Sequence, residues 1–120
     1  MEVTNPWSVL PIKNTKYAKS CTELHLSDRG IKKLENFEAF TNVQVLWLNN
    51  NKIRKLENLN QNFRIKQLYL ENNYLNSLEG SLKYLKFIEI LLLGKNHLRN
   101  LNKILEILSK LTCLERLSNL

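Results

Sequence analysis

Val43-Gln44-Val45-Leu46-Trp47-Leu48-Asn49-Asn50-Asn51-Lys52-Ile53 decides how this chain is read, because its frame recurs on either side. Written as aliphatic-x-x-Leu-x-Leu-x-x-Asn-x-aliphatic, the frame returns at Ile65, Leu68, Leu70, Asn73 and Leu75, and again at Ile88, Leu91, Leu93, Asn96 and Leu98. A degenerate copy lies upstream at Cys21, Leu24, Leu26, Arg29 and Ile31. The asparagine position falls at residues 29, 51, 73 and 96, so the spacing is 22, 22 and then 23 residues. Self-similarity at this period marks a repeat architecture in which no unit buries its own apolar edge and neighbours share a continuous core.

Each position in the frame has a physical task. The Leu-x-Leu segment predicts a short strand with its leucines inward and the residues between them outward, since side chains alternate across a strand. The asparagine then turns the chain. Its amide both donates and accepts, so a stack of Asn51, Asn73 and Asn96 satisfies turn backbone groups that would otherwise be buried unpaired. The return half shows a second register, Leu34-Glu35-Asn36, Leu56-Glu57-Asn58 and Leu78-Glu79-Gly80. This column of carboxylates is repulsive at a strand spacing of about 5 Å unless compensated. Lys33 and Lys55 are the predicted partners, helped by free N–H groups of short helices on the far side.

At the ends the pattern changes. Asn5-Pro6 and Leu10-Pro11 predict a loosely held arm anchored by Trp7, followed by a helical turn over residues 15–20 that covers the first repeat. The fourth return, residues 102–110, places Ile104, Leu105, Ile107, Leu108 and Leu111 at helical spacing. A fifth repeat opens with Leu114-Glu115-Arg116-Leu117, but Asn119 stands where its second strand leucine belongs, so the array is expected to end uncapped.

The run from Val43 to Leu59 resembles the short 22-residue subclass of leucine-rich repeats, a likeness that extends from Cys21 to Leu117. It implies an α/β fold: a solenoid of about four and a half repeats with a short parallel sheet on the concave face and short helices or turns on the convex face. The implied organisation is an N-terminal arm and cap at residues 1–20 and a repeat domain at 21–120, with repeats starting near 21, 43, 65, 88 and 114. The subclass includes a phosphatase-1 regulator, a spliceosomal protein, an axonemal dynein light chain and small cilium-associated proteins. It shares a scaffold rather than an activity. Members usually finish with a capping helix after an Asn-Pro turn. Its lack here suggests a truncated product, a fragment or an end covered by a partner.

Composition narrows the function. Hydrophobic residues make up 43% of the 120, too many for a mainly disordered segment. A net charge of +7 favours acidic partners in general without defining a site. The two cysteines, Cys21 and Cys113, lie at opposite ends of the array, which argues against a disulfide or zinc site and for two small buried hydrophobes. No secretory leader and no run of 18 apolar residues occurs, so an intracellular, cytoplasmic protein is expected, with cilium or axoneme implied by the resemblance and nucleus as the alternative. His25 and His97 are three repeats apart and no catalytic motif occurs, so no enzyme, metal or cofactor is predicted.

Binding residues are sought where the repeat itself demands nothing. The outward position of each strand carries His25, Trp47, Tyr69 and Leu92, and the outward position before it Glu23, Val45, Gln67 and Ile90. Together Val45, Trp47, Tyr69, Ile90 and Leu92, with His25 and Glu71 at the rim, form a candidate protein-binding patch on the concave face. The competing feature is a basic edge of Lys52, Arg54, Lys55 and Arg99, with Lys32, Lys33 and Lys103, suited to RNA or an acidic protein. Because Glu35, Glu57 and Glu79 interrupt it, the edge reads as a mixed solvated face. The expected function is a non-catalytic scaffold for one protein partner, plausible in a ciliary or cytoskeletal assembly, with no membrane role. The alternatives are a ribonucleoprotein component or a phosphatase regulatory subunit.

Overall fold

In a computed structural model, which describes residues 5–118, the repeats form one sheet of five parallel strands in sequence order. The strands are β1 Glu23–His25, β2 Val45–Trp47, β3 Gln67–Tyr69, β4 Ile90–Leu92 and β5 Arg116–Leu117. Their register repeats the sequence frame, with Leu24, Leu46, Leu68, Leu91 and Leu117 lined up across the sheet. Each strand is short because one inward leucine between two outward residues is all the frame allows before the turn. Leu24, Leu46, Leu68 and Leu91 are at most 2% exposed, and Leu26, Leu48, Leu70 and Leu93 are fully buried. Burying each such leucine stabilises the stack by about 1.5–3 kcal/mol before entropy is counted.

Asparagine holds the turns. Asn51 Oδ1 accepts from the backbone N–H groups of Arg29 and Ile31 at 3.0 Å each, while its Nδ2 donates to the carbonyls of Leu26 and Leu48. Asn73 and Asn96 repeat the arrangement one and two units on. The first repeat lacks the asparagine, and Arg29 is exposed there with its N–H held by Asn51.

The convex side is mostly turns, which corrects one expectation. No helix begins at Glu35 or Glu57, because Leu34-to-Phe37 and Leu56-to-Leu59 leave room for a single turn whose third residue, Asn36 or Asn58, is left-handed at φ 67° or 63°. Asn58 Nδ2 then donates to the Leu34 carbonyl, tying the two returns together. Glu35 and Glu79 of the glutamate column are relieved by cations instead of helix termini. Lys33 Nζ lies 3.5 Å from Glu35, as the sequence implies, whereas Glu79 is paired with Lys103 of the next repeat at 3.4 Å, and among the described residues Lys55 makes no ion pair. Gly80, at φ 118°, allows a close approach: a Cβ there would sit 2.1 Å from the Leu56 carbonyl oxygen, which accepts from Ser81 N–H. A 3-10 turn, Ser81–Tyr84, follows it.

Both ends are better built than the sequence suggests. The described part of the N-terminal arm is not loose: Pro6 and Leu10 are buried, and Trp7 packs edge-on against Phe40 with ring centroids 5.4 Å apart. Phe37 and Phe40 replace smaller residues of later repeats and give the arm an aromatic surface to cover. Helix α1, Thr15–Ser20, starts at Asn14, whose side chain accepts from Tyr17 N–H at 2.8 Å, and it buries Ala18. At the other end α2, Leu101–Ser109, buries Ile104 and Leu108 and leaves Leu101 and Leu105 60% and 51% exposed. Leu93 is covered nonetheless, and the Ser118 hydroxyl accepts from the N–H groups of Leu93 and Gly94. Asn119 lies outside the described residues. Cys113 is exposed rather than buried, because it sits in the turn between α2 and β5.

Candidate functional site on the concave face

Parallel pairing places His25, Trp47, Tyr69 and Leu92 side by side across four strands. Adjacent strands are about 4.8 Å apart, close to the spacing of stacked rings, so outward aromatics in one column stack without adjusting the backbone. The His25 and Trp47 rings lie 4.0 Å apart and 9° from parallel. Trp47 and Tyr69 follow at 5.6 Å and 7°. The result is a ladder of three aromatic rings standing on the sheet, with Leu92 continuing the column.

The neighbouring column frames it. Val45 and Ile90 are half-buried beside the ladder. Gln67 Oε1 accepts from the Tyr69 hydroxyl at 2.8 Å, which fixes the phenol. Glu23 Oε1 lies 3.7 Å from His25 Nε2 at the outer rim. On the other flank Ser27 donates to Asn49 at 2.7 Å, and Glu71 occupies the next place in that column. Glu71 Oε1 is shielded from solvent and finds no hydrogen-bond partner among the described residues. All seven residues singled out for this face therefore gather on one surface, with rings stacked at their centre. The role of His25 as the end of the stack was not legible, because the sequence shows the column but not the ring planes.

The basic edge is divided. Lys32, Lys52 and Arg54 share a shallow cavity of about 340 Å³ with Tyr74. Lys55 lies beyond it in a second depression, which Arg54 also borders, with Glu57 and Glu79. Glutamates thus stand beside Lys33, Lys55 and Lys103 and border Arg54 and Arg99 on one side, whereas the cavity of Lys32, Lys52 and Arg54 has none in its lining. Elsewhere, burial pushes the Cys21 thiol above its ordinary pKa, and its Sγ donates to the Tyr17 carbonyl at 3.4 Å. Among the described residues no group of three or more His, Cys, Asp or Glu could hold a metal ion.

Five strands in register, a ladder of turn asparagines and a 22-residue period define a leucine-rich-repeat protein. The family described as leucine rich repeats, in two copies, matches residues 19–61, and the chain belongs among proteins of this kind. Of solved structures, a chain in the Drosophila melanogaster SNF/U2A' complex superposes with a TM-score of 0.72 at 33% identity, over 82% of this chain and 57% of that one. A Leptospira interrogans leucine-rich-repeat protein gives 0.70 at 30% identity, over 79% of this chain and 24% of that one. A Listeria monocytogenes internalin gives 0.73 at 20% identity, over 86% and 36%, a likeness of fold alone. This chain therefore spans well under two thirds of each of these proteins. No curated protein sequence gives a significant match.

Proposed function

We propose that the protein is a non-catalytic interaction scaffold that holds a protein partner on its concave face, with Trp47 and Tyr69 as the anchors. The observation that carries this reading is the stacked ladder of His25, Trp47 and Tyr69. The repeat needs only strand-compatible residues at these places, and rigid aromatics flanked by polar groups are what interfaces use as anchors. Strand propensity accounts for single aromatics. It does not account for three stacked rings in one column with Gln67 orienting Tyr69 at their edge.

From Trp47 to Leu92 is two strand spacings, about 10 Å, so the ladder is the centre of a contact and not the whole of it; a standard interface takes about 800 Å² from each side. A helix or extended segment lying across the strands reaches the remaining rim groups, Glu23 and Lys95 among them. The likeness to a chain solved within the SNF/U2A' complex supports an assembling role. The setting we propose is an intracellular ciliary or cytoskeletal assembly, as the sequence resemblance implies, and imaging of a tagged chain in ciliated cells tests it.

The binding experiment uses the whole chain as bait. Trp47→Ala and Tyr69→Ala are each expected to weaken partner binding by about 2 kcal/mol or more if they are anchors. Binding unchanged in both variants would remove the concave-face reading.

A further inference from the structure

Beyond the concave face, the edge of the solenoid carries a feature that protein scaffolding does not use. The residue after each turn asparagine is Lys52, Tyr74 and His97 in successive repeats, and two positions further on stand Lys32, Arg54, Asn76 and Arg99. The edge is rigid at this point. Backbone bonds from Lys52 N–H to the Ile31 carbonyl, Tyr74 N–H to Ile53 and His97 N–H to Leu75, each 2.8 Å, continue the parallel ladder around the turn.

Cations without an ion pair and an exposed ring stand side by side there. The three ion pairs among the described residues use Glu23, Glu35 and Glu79, and none includes Lys32, Lys52, Arg54 or Arg99. Lys32, Lys52 and Arg54 converge on the 340 Å³ cavity, whose fourth wall is Tyr74. Tyr74 is 47% exposed although large and apolar, and its ring stacks on that of His97 at 5.8 Å and 6° from parallel. Arg99, two residues after His97, lines a separate depression with Glu79 and Lys103. The strip thus runs from the Lys32, Lys52 and Arg54 cluster to the Tyr74–His97 stack over four repeats, a length of about 15 Å at the strand spacing.

We propose that this edge binds single-stranded nucleic acid, with phosphates on Lys32, Lys52 and Arg54 and a base on the Tyr74–His97 stack. Single strands are recognised by a cationic track combined with exposed rings on which bases stack. A phosphorylated side chain or inorganic phosphate would use the cations and leave the stacked pair without a role. An acidic protein tail would do the same.

The test measures fluorescence anisotropy of labelled twelve-residue oligo(U) RNA and oligo(dT) DNA with the whole chain, the two probes separating RNA from DNA as the natural source. Binding is expected at low salt, tighter than to a duplex of the same length. Neutralising Lys52 and Arg54 together (K52Q/R54Q) should weaken it at least tenfold and flatten the plot of log K against log salt by about 1.4, since each single-strand phosphate contact contributes about 0.7. Tyr74→Leu keeps the charge and should still cost about tenfold, the scale of one lost stacked base. As a control for net charge, K83Q/K86Q/K110Q removes three exposed lysines around a groove elsewhere and should leave binding within twofold. All these side chains are exposed, and matching melting curves confirm that the variants fold. The proposal is overturned if neither probe binds, if the control triple variant loses as much as K52Q/R54Q, if Tyr74→Leu binds like wild type, or if the duplex binds as tightly as the single strands.

Discussion

Asn51 and Asn73, one repeat apart, donate their side-chain amides to the same acceptor, the Leu48 carbonyl, at 2.9 and 3.0 Å. Asn73 and Asn96 share the Leu70 carbonyl in the same way. Each turn is thereby fastened both to its own strand and to the preceding one, so the ladder couples repeats as well as closing them.

Removing one rung should therefore be costly. Asn73→Ala orphans Ile53 N–H, which has no other acceptor in the turn, and withdraws one of the donors from the Leu48 and Leu70 carbonyls, cutting the tie between the two repeats. Each buried group left unsatisfied costs about 1–3 kcal/mol, so a loss of about 3 kcal/mol is expected in urea unfolding. The neighbouring Asn72→Gly, at φ 57° on the surface, should change stability by less than about 1 kcal/mol.

Gly80→Ala provides a separate test of the return half. A methyl at this place meets the Leu56 carbonyl oxygen at 2.1 Å, and the φ of 118° is one that L residues rarely adopt. Backbone must move on one side or the other. The expected loss is at least about 2 kcal/mol, read as a fall in melting temperature, and a variant that melts like wild type contradicts the close approach.

Much of this was legible beforehand, for a physical reason. Leucine at Leu24, Leu46, Leu68 and Leu91 has one use in a repeat, so the period sets register and core together. What the period does not encode is local packing against something unlike a repeat. The burial of Pro6 and Leu10 and the contact of Trp7 with Phe40 depend on the first return carrying Phe37 and Phe40, and no internal copy announces that. Cys113, by contrast, stands in the turn that Asn42, Arg64 and Phe87 occupy in earlier repeats, so the frame itself outweighs the usual preference of cysteine for the interior.

The two thiols should consequently differ in reactivity. Cys113 is exposed, whereas Cys21 is half-buried, bonded to the Tyr17 carbonyl and pushed up in pKa by desolvation. A raised thiol pKa means less thiolate at any given pH, so Cys21 should alkylate more slowly and gain rate only at higher pH. Iodoacetamide labelling read by peptide mass spectrometry should show Cys113 modified first. Equal rates at neutral pH would contradict the burial of Cys21.

Outward and inward residues of one strand should separate stability from binding. Leu48→Ala leaves a cavity in the shared core and should cost about 2–5 kcal/mol. Trp47→Ala, next to it, removes a half-buried ring stacked between His25 and Tyr69 and should cost clearly less, about 1 kcal/mol. Parallel denaturation curves decide whether Trp47 faces outward.

The most direct measurement on the central claim is quantitative affinity capture from cell extract, run side by side with wild type, Trp47→Ala, Tyr69→Ala and Phe87→Ala. Phe87 is 54% exposed but lies outside the sheet, so it controls for the loss of any surface aromatic. The account predicts a protein retained by wild type and by Phe87→Ala and lost from both ladder variants while their melting curves stay cooperative. Retention of the same proteins by all four baits, with Trp47→Ala and Tyr69→Ala folded, would contradict it.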